Sequence, residues 1–235
     1  MSPEAVRLVG EAWAFRARVE QEAELRFLRL AGAITAFDPG SPAVALLQRA
    51  AEDERRHARL CAELAGEYGY SVDHPPSIGD IAPSELGFRD AVLYEVVASC
   101  CITETESVAT LATLLAEKAE PRVRAALHEI ARDEVIHGRM GWAHLAREAA
   151  ARDVTFLSAW IPVMLSGTVG DRFFSQQDAP VDAEELLRHG VLPASRKREL
   201  FSRTLLDVIL PGLEKFGVDA KPARAWLERQ SSGRF

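Results

Sequence analysis

The chain has 235 residues, enough for a sizeable core, and its 48% hydrophobic and 27% charged residues read as an ordinary soluble globular protein. A net charge of −7, with Arg196-Lys197-Arg198 as the only dense basic run, disfavours a nucleic-acid partner. The three cysteines, Cys61 and the adjacent Cys100 and Cys101, form no Cys-x-x-Cys, so neither a zinc ribbon nor a rubredoxin-type iron centre is encoded.

Residues 3–36 hold helical periodicity, and the acids and base Glu4, Arg7 and Glu11 within the first turns are unlike a signal peptide. The breaker Asp38-Pro39-Gly40-Ser41-Pro42 follows, with Ser41 placed as N-cap and Pro42 at the first helical position. A second helix is expected over 42–68. A long Pro/Gly-rich stretch, 69–83, is centred on His74-Pro75-Pro76. A third helix is expected from about residue 85 or 89 to 118, a turn at Glu120-Pro121, and a fourth helix over about 121–151. Short turn, long connection, short turn is the rhythm of a four-helix bundle with one crossover between its second and third helices.

The remaining segments are also helical in pattern. Residues 154–170 are the longest uncharged run, but they are short, polar in places and broken by Pro162, so a buried helix is expected rather than a membrane span. That fifth helix is placed at 153–174 and could line an apolar cavity with Trp160, Pro162 and Met164. After a polar linker, 176–180, come pieces near 183–188, 195–215 and beyond Lys221, with Gly217 as a C-cap. The fold class is therefore all-α: a bundle over 1–151 and a C-terminal helical extension over 152–235 in the same globule.

One signature occurs twice, as Asp53-Glu54-x-x-His57 and Asp133-Glu134-x-x-His137. Residues i and i+3 share a helix face, so each copy aims a carboxylate and an imidazole at one point. On the second helix Leu46, Leu47, Ala50, Glu54, His57, Cys61 and Leu64 share one side, with Arg49, Glu52, Arg56 and Arg59 opposite. On the third, Glu104 falls within a stripe of Val97, Cys101, Val108, Leu111 and Leu115, while Glu95, Glu106 and Glu117 point away. On the first helix Glu20 is in line with Val9, Trp13, Phe27 and Ala31. Glu22 faces water among Arg18, Arg26 and Arg29, and Glu24 is the alternative, being 30 residues before Glu54.

Buried acids converging on one core repel one another, and a divalent metal pair resolves that cost. The candidate ligands are Glu20, Glu54, His57, Glu104, Glu134 and His137. Asp53 and Asp133 are placed to bond the histidine of the opposite helix. His144 continues the Glu134–His137 face, whereas His74, His128 and His189 are expected to be solvated. Thr103 and Thr105 flank Glu104, and the cysteines read as small core residues with reduced thiols.

This ligand set resembles that of the ferritin-like di-iron carboxylate superfamily over roughly residues 8–150. Rubrerythrins are similar, but they carry an extra glutamate where this chain has Cys101, and their rubredoxin module is absent. Aldehyde-deformylating oxygenases resemble the chain in length, in Glu20-Gln21-Glu22-Ala23 and in an added C-terminal layer. Bacterial ferritin-like domain proteins are similar in Gln48-Arg49-Ala50-Ala51-x-Asp53-Glu54. The resemblance implies two iron ions, with manganese as the other metal such sites hold, and an oxidoreductase that uses O2, a small-molecule substrate and a reductase. A ferroxidase, a peroxide-detoxifying protein or a non-catalytic metal-binding module are the alternatives. A cytoplasmic location is expected, with no membrane partner, and self-association is left open.

Overall fold

The computed structural model describes residues 1–72, 76, 79, 81–170 and 172–231. His74 and Pro75 lie outside the described residues. Every regular element among the described residues is helical.

Helix α1 (Pro3–Phe37) starts where the Ser2 side chain accepts from Ala5 N at 3.1 Å, with proline in its first turn. Helix α2 (Pro42–Glu67) also opens on proline, and Ser41 does occupy the N-cap. The serine makes no cap hydrogen bond, however; its Oγ is buried without a partner. The third bundle helix is composite: α3 (Phe88–Val96), a π-helical segment (Val97–Thr103) and α4 (Glu104–Leu115). Helix α5 (Pro121–Ala151) completes the bundle.

The π segment changes which residues of this helix are buried. Each π insertion sets the helical phase back by roughly one residue, about 100°. Glu95 and Glu104 are nine residues apart, about 180° on a regular helix, so Glu95 was expected to point away. It is instead 2% exposed and paired with Arg29 of α1, Oε1 accepting from Nη1 at 3.0 Å. Further along, Leu114 rather than Leu115 is fully buried, and Val108 is only partly so.

Close approach of α5 to the π segment depends on Gly141. A Cβ there would meet the Cys100 Cβ at 2.3 Å and the Cys100 carbonyl carbon at 2.9 Å. No rearrangement of a flexible side-chain tip could relieve that overlap.

The extension comprises α6 (Leu157–Val169), α7 (Ala183–Arg188), α8 (Ala194–Thr204), a second π segment (Leu205–Ile209), α9 (Leu210–Glu214) and α10 (Lys221–Ser231). The fifth helix is shorter than its periodicity suggested. Asp153 Oδ1 accepts from Thr155 N in a turn before it, and Gly170 ends it at φ +68°. Phe173 and Phe174 pack edge-on against Phe201 beyond that end, at centroid distances of 5.3 and 6.2 Å. Gly217 does adopt the left-handed conformation, φ +80°, with its N–H bonded to Glu214 O.

Three apolar clusters hold the molecule together. Val9, Trp13, Ala17, Cys61, Leu64, Leu114, Leu127 and Ile130 fill one end of the bundle, covered by α7 and Leu200 of α8. Phe27, Leu30, Ile34, Leu47, Val96 and Met140 fill the other end. Tyr94, Val97, Cys101 and Ile102 meet Leu157, Ile161, Met164 and Leu165 of α6 on the outer side. Residues of α6 are thus engaged in packing, which removes the argument that this stretch implies an apolar cavity. Among the described residues no helix is long and apolar enough to cross a membrane.

Candidate metal centre

Between the two bundle clusters, the core turns polar. Glu54, His57, Glu104, Glu134 and His137 are all at most 6% exposed, and Glu20 is partly buried beside them. Their donor atoms form two overlapping groups. Glu20, Glu54, His57 and Glu134 make one; Glu54, Glu104, Glu134 and His137 make the other, and within each group all donors lie within 4.8 Å of one another. Glu54 and Glu134 belong to both. All six candidate ligands are therefore brought together, one from each of α1 and α4 and two from each of α2 and α5.

The two halves mirror each other. His57 Nδ1 lies 3.2 Å from Glu54 Oε2 and 3.6 Å from Glu134 Oε1. His137 Nδ1 lies 3.3 Å from Glu134 Oε2 and 2.9 Å from Glu54 Oε1. Both rings turn Nδ1 inward and Nε2 outward. Outside, His57 Nε2 meets Asp133 Oδ2 at 3.2 Å, and His137 Nε2 meets Asp53 Oδ2 at 3.4 Å. Each aspartate reaches the histidine of the opposite helix. With Nδ1 free to ligate, Nε2 carries the proton and donates to the aspartate.

Electrostatics show how unbalanced the donor set is. Burial, and then the charges of Glu54 and Glu134, push Glu20 and Glu104 well above the usual carboxylate range. Burial would also raise Glu134, but hydrogen bonds from Glu104, His137 and His57 hold it low. Burial opposes charge on both histidines, yet their bonds to Glu134 and Glu54 outweigh it and raise each to about 10. Four buried carboxylates thus face two imidazoles. Glu54 Oε1 stays buried without a hydrogen bond of acceptable geometry, although His137 Nδ1 is near it. Mixed oxygen and imidazole donors with surplus negative charge fit a pair of divalent ions such as Fe(II) or Mn(II).

The alternative acids of α1 are elsewhere engaged. Glu24 accepts from Arg55 Nε at 2.8 Å and belongs to neither donor group. Glu22 is also outside both groups, and is partly buried rather than open to water.

Arg56 lies on the face of α2 opposite the donors, as periodicity places it, but its long side chain reaches both aspartates. Its Nη2 donates to Asp53 Oδ1 at 2.9 Å and to Asp133 Oδ2 at 2.5 Å, and its Nε to Glu129 at 2.9 Å. Arg132 also binds Asp133, at 3.0 Å. Burial raises Asp133, but Arg132, His57 and Arg56 together lower it to about 2. The i,i+3 relation between Asp53 and Arg56 was the available signal.

Other candidates take structural places. Thr103 Oγ1 donates to Ala98 O and Thr105 Oγ1 accepts from Trp142 Nε1. His128 is exposed. His189 is not solvated as expected, since its Nδ1 bonds Tyr68 OH at 2.8 Å and its carbonyl takes Trp13 Nε1 at 3.0 Å. His144 is 4% exposed and neither ring nitrogen is hydrogen-bonded. The three cysteines are free and buried, and burial raises Cys61 to about 12.

A family model described as Rubrerythrin matches residues 15–145, more than half of the chain. No curated protein matches. Among solved structures, protein 19 with aldehyde deformylating oxidase activity from Synechococcus is similar with a TM-score of 0.61 and 20% identity, covering 94% of this chain and 96% of that one. At that identity the likeness shows the fold, extension included.

Proposed function

The chain belongs to the rubrerythrin family of ferritin-like proteins, and from that premise we propose that it is a di-iron carboxylate oxidase or oxygenase acting on a small organic substrate with O2. The observation that carries this reading is the pair of donor groups sharing Glu54 and Glu134. Glu20 and His57 would hold one ion and Glu104 and His137 the other, with Glu54 and Glu134 common to both. When bound, a reduced metal pair supplies the electrons that O2 requires, and a reductase partner restores them.

The chain's own residues supply orientation and dryness. Asp133 and Asp53 fix the tautomers of His57 and His137, and Arg56 holds both aspartates against the α2–α5 seam. Phe27 closes over His137 edge-on, with centroids 5.8 Å apart. The apolar clusters on either side keep bulk water from the carboxylates.

Two observations favour turnover of an organic substrate over iron handling. The helical extension lies beyond what a ligand-bearing bundle requires, and the structural neighbour that shares it is one with aldehyde deformylating oxidase activity. Cys101, the position of the rubrerythrins' extra glutamate, is buried in the apolar cluster facing α6. The family itself favours the second reading, a ferroxidase or peroxide-detoxifying protein.

The test is anaerobic loading with Fe(II), metal counting, and stopped-flow absorption on exposure to air. Two irons per chain, oxidised in one turnover that an apolar small molecule accelerates and lost in His57→Ala and His137→Ala, support the proposal. Mineralisation of many irons per chain would make iron storage the function. Protein that stays ferrous for hours would leave a non-catalytic metal-binding module.

A further inference from the structure

Two cations stand beside the donor cluster, Arg16 with Glu20 and Glu106 as acidic neighbours and Lys197 with Glu106. Arg16 lies one helical turn before Glu20 on α1, so both face the same side. Its guanidinium sits over Trp13, 4.6 Å from the ring centroid, and its Nη1 is buried with no hydrogen-bond partner. Lys197 of α8 stands three residues before Leu200, which is buried in the cluster that contains Trp13 and Ala17. Its charged neighbours are Arg16 and Glu106, and among the described residues it hydrogen-bonds neither. Burial, and then Arg16, hold its ammonium below the usual lysine range. Glu106 of α4 accepts from the Thr110 hydroxyl at 2.9 Å.

With two divalent ions bound, the four glutamates would be neutralised, and the local charge balance would be positive, with Glu106 alone opposite Arg16 and Lys197. A buried guanidinium nitrogen without a hydrogen-bond partner is costly, and an anion there would relieve that cost.

We propose that Arg16 and Lys197 form the anion-binding end of the substrate site, and that the substrate is a small carboxylic acid bound as its carboxylate. A guanidinium fork matches a carboxylate in two parallel hydrogen bonds, and the Trp13 face fixes the plane of that fork. Lys197 adds a point charge from the opposite element. Arg16 and Glu20 are four residues apart, about 6 Å along the helix axis, a separation that an acid of a few carbons matches. This assignment deepens the oxygenase reading and rests on it for the identity of the bound acid as substrate. Recognition of the carboxylate itself is separable.

Isothermal titration with butanoate and its uncharged isostere butanamide, on metal-free and Zn(II)-loaded protein, tests it. Butanoate should bind the Zn(II)-loaded protein, and the metal-free protein more weakly; in the loaded state butanamide should bind about tenfold more weakly than butanoate, or worse. Arg16→Gln and Lys197→Gln should each weaken butanoate about tenfold, while Glu106→Gln should tighten it. Should the first two variants fail to fold, the wild-type comparison and Glu106→Gln still decide. Equal affinity for the two probes, or butanoate binding that needs zinc and ignores Arg16→Gln, overturns the proposal. So does inorganic phosphate binding as tightly as butanoate. A metal count of zero alongside retained butanoate selectivity would instead remove the di-iron reading and leave the anion site.

Discussion

Asp133 on α5 accepts from His57 on α2 at 3.2 Å, so the orientation of a ring on one helix is set by a carboxylate on its neighbour. The same relation holds in reverse between Asp53 and His137 at 3.4 Å. Without the aspartate, the imidazole loses its fixed tautomer and some basicity. Asp53→Ala and Asp133→Ala should each lower metal affinity by about 10- to 100-fold. Competition with a chelator of known affinity measures this directly. Unchanged affinity in both variants would reduce the aspartates to ordinary helix-surface acids.

The acids of α1 should behave differently from one another. Glu20 lies within the donor group of His57, whereas Glu24 is paired with Arg55 at the surface. Glu20→Ala should therefore lose one of two bound ions, and Glu24→Ala should keep both. Metal analysis after gel filtration reads the outcome. Loss of an ion in Glu24→Ala with full occupancy in Glu20→Ala would show that spacing from Glu54 outranks position on the apolar stripe.

Why the faces of α2 and α5 could be read from sequence is plain from their regularity. Both run as uninterrupted α-helix through their Glu-x-x-His, so 100° steps place Glu54, His57, Glu134 and His137 on buried faces. Even there the apolar stripe was drawn too wide, since Leu46 is 39% exposed. The third bundle helix is legible only in part, because no local residue choice announces a π insertion: Val97, Cys101 and Leu111 are buried as expected, but Val108 and Leu115 only partly so. Glu104 was correctly placed among buried residues, while Glu95 was put on the wrong side of the same helix. Arg56 was missed because a long side chain can reach past its own face. The approach of Arg16 to Lys197 joins residues 181 positions apart, and no periodicity encodes it.

Gly141 offers a test of the π segment's role. A methyl group at this position must displace Cys100 backbone, and Glu104 follows directly after that segment. Gly141→Ala should cost about 1–3 kcal/mol of stability by overpacking. It should also weaken metal binding, because the Glu104 carboxylate moves with the helix. Urea unfolding and metal titration check the two effects separately. A variant as stable as the parent would mean that α5 can back away from Cys100 without strain.

The far end of the bundle should carry a distinct acid sensitivity. Glu148 is 2% exposed; its Oε1 accepts from Arg89 Nη2 at 2.8 Å and its Oε2 from Arg152 Nε at 2.6 Å. Burial alone would raise this carboxyl, but the two guanidinium groups prevail and hold it below its ordinary value. A depressed carboxylate contributes stability that is fully present above its unfolded pKa, about 4.3, and is lost as pH falls through the lower folded value. Glu148→Gln should therefore cost about 1–2 kcal/mol at pH 7, towards the lower end because Arg89 is half exposed. The gap between parent and variant should narrow as pH is lowered below about 4. Urea unfolding of the metal-free proteins at neutral and acidic pH measures that gap without interference from bound metal, and the titration of the ligand side chains is common to parent and variant. A difference that stays constant across the range would mean that Glu148 acts through packing rather than through its charge.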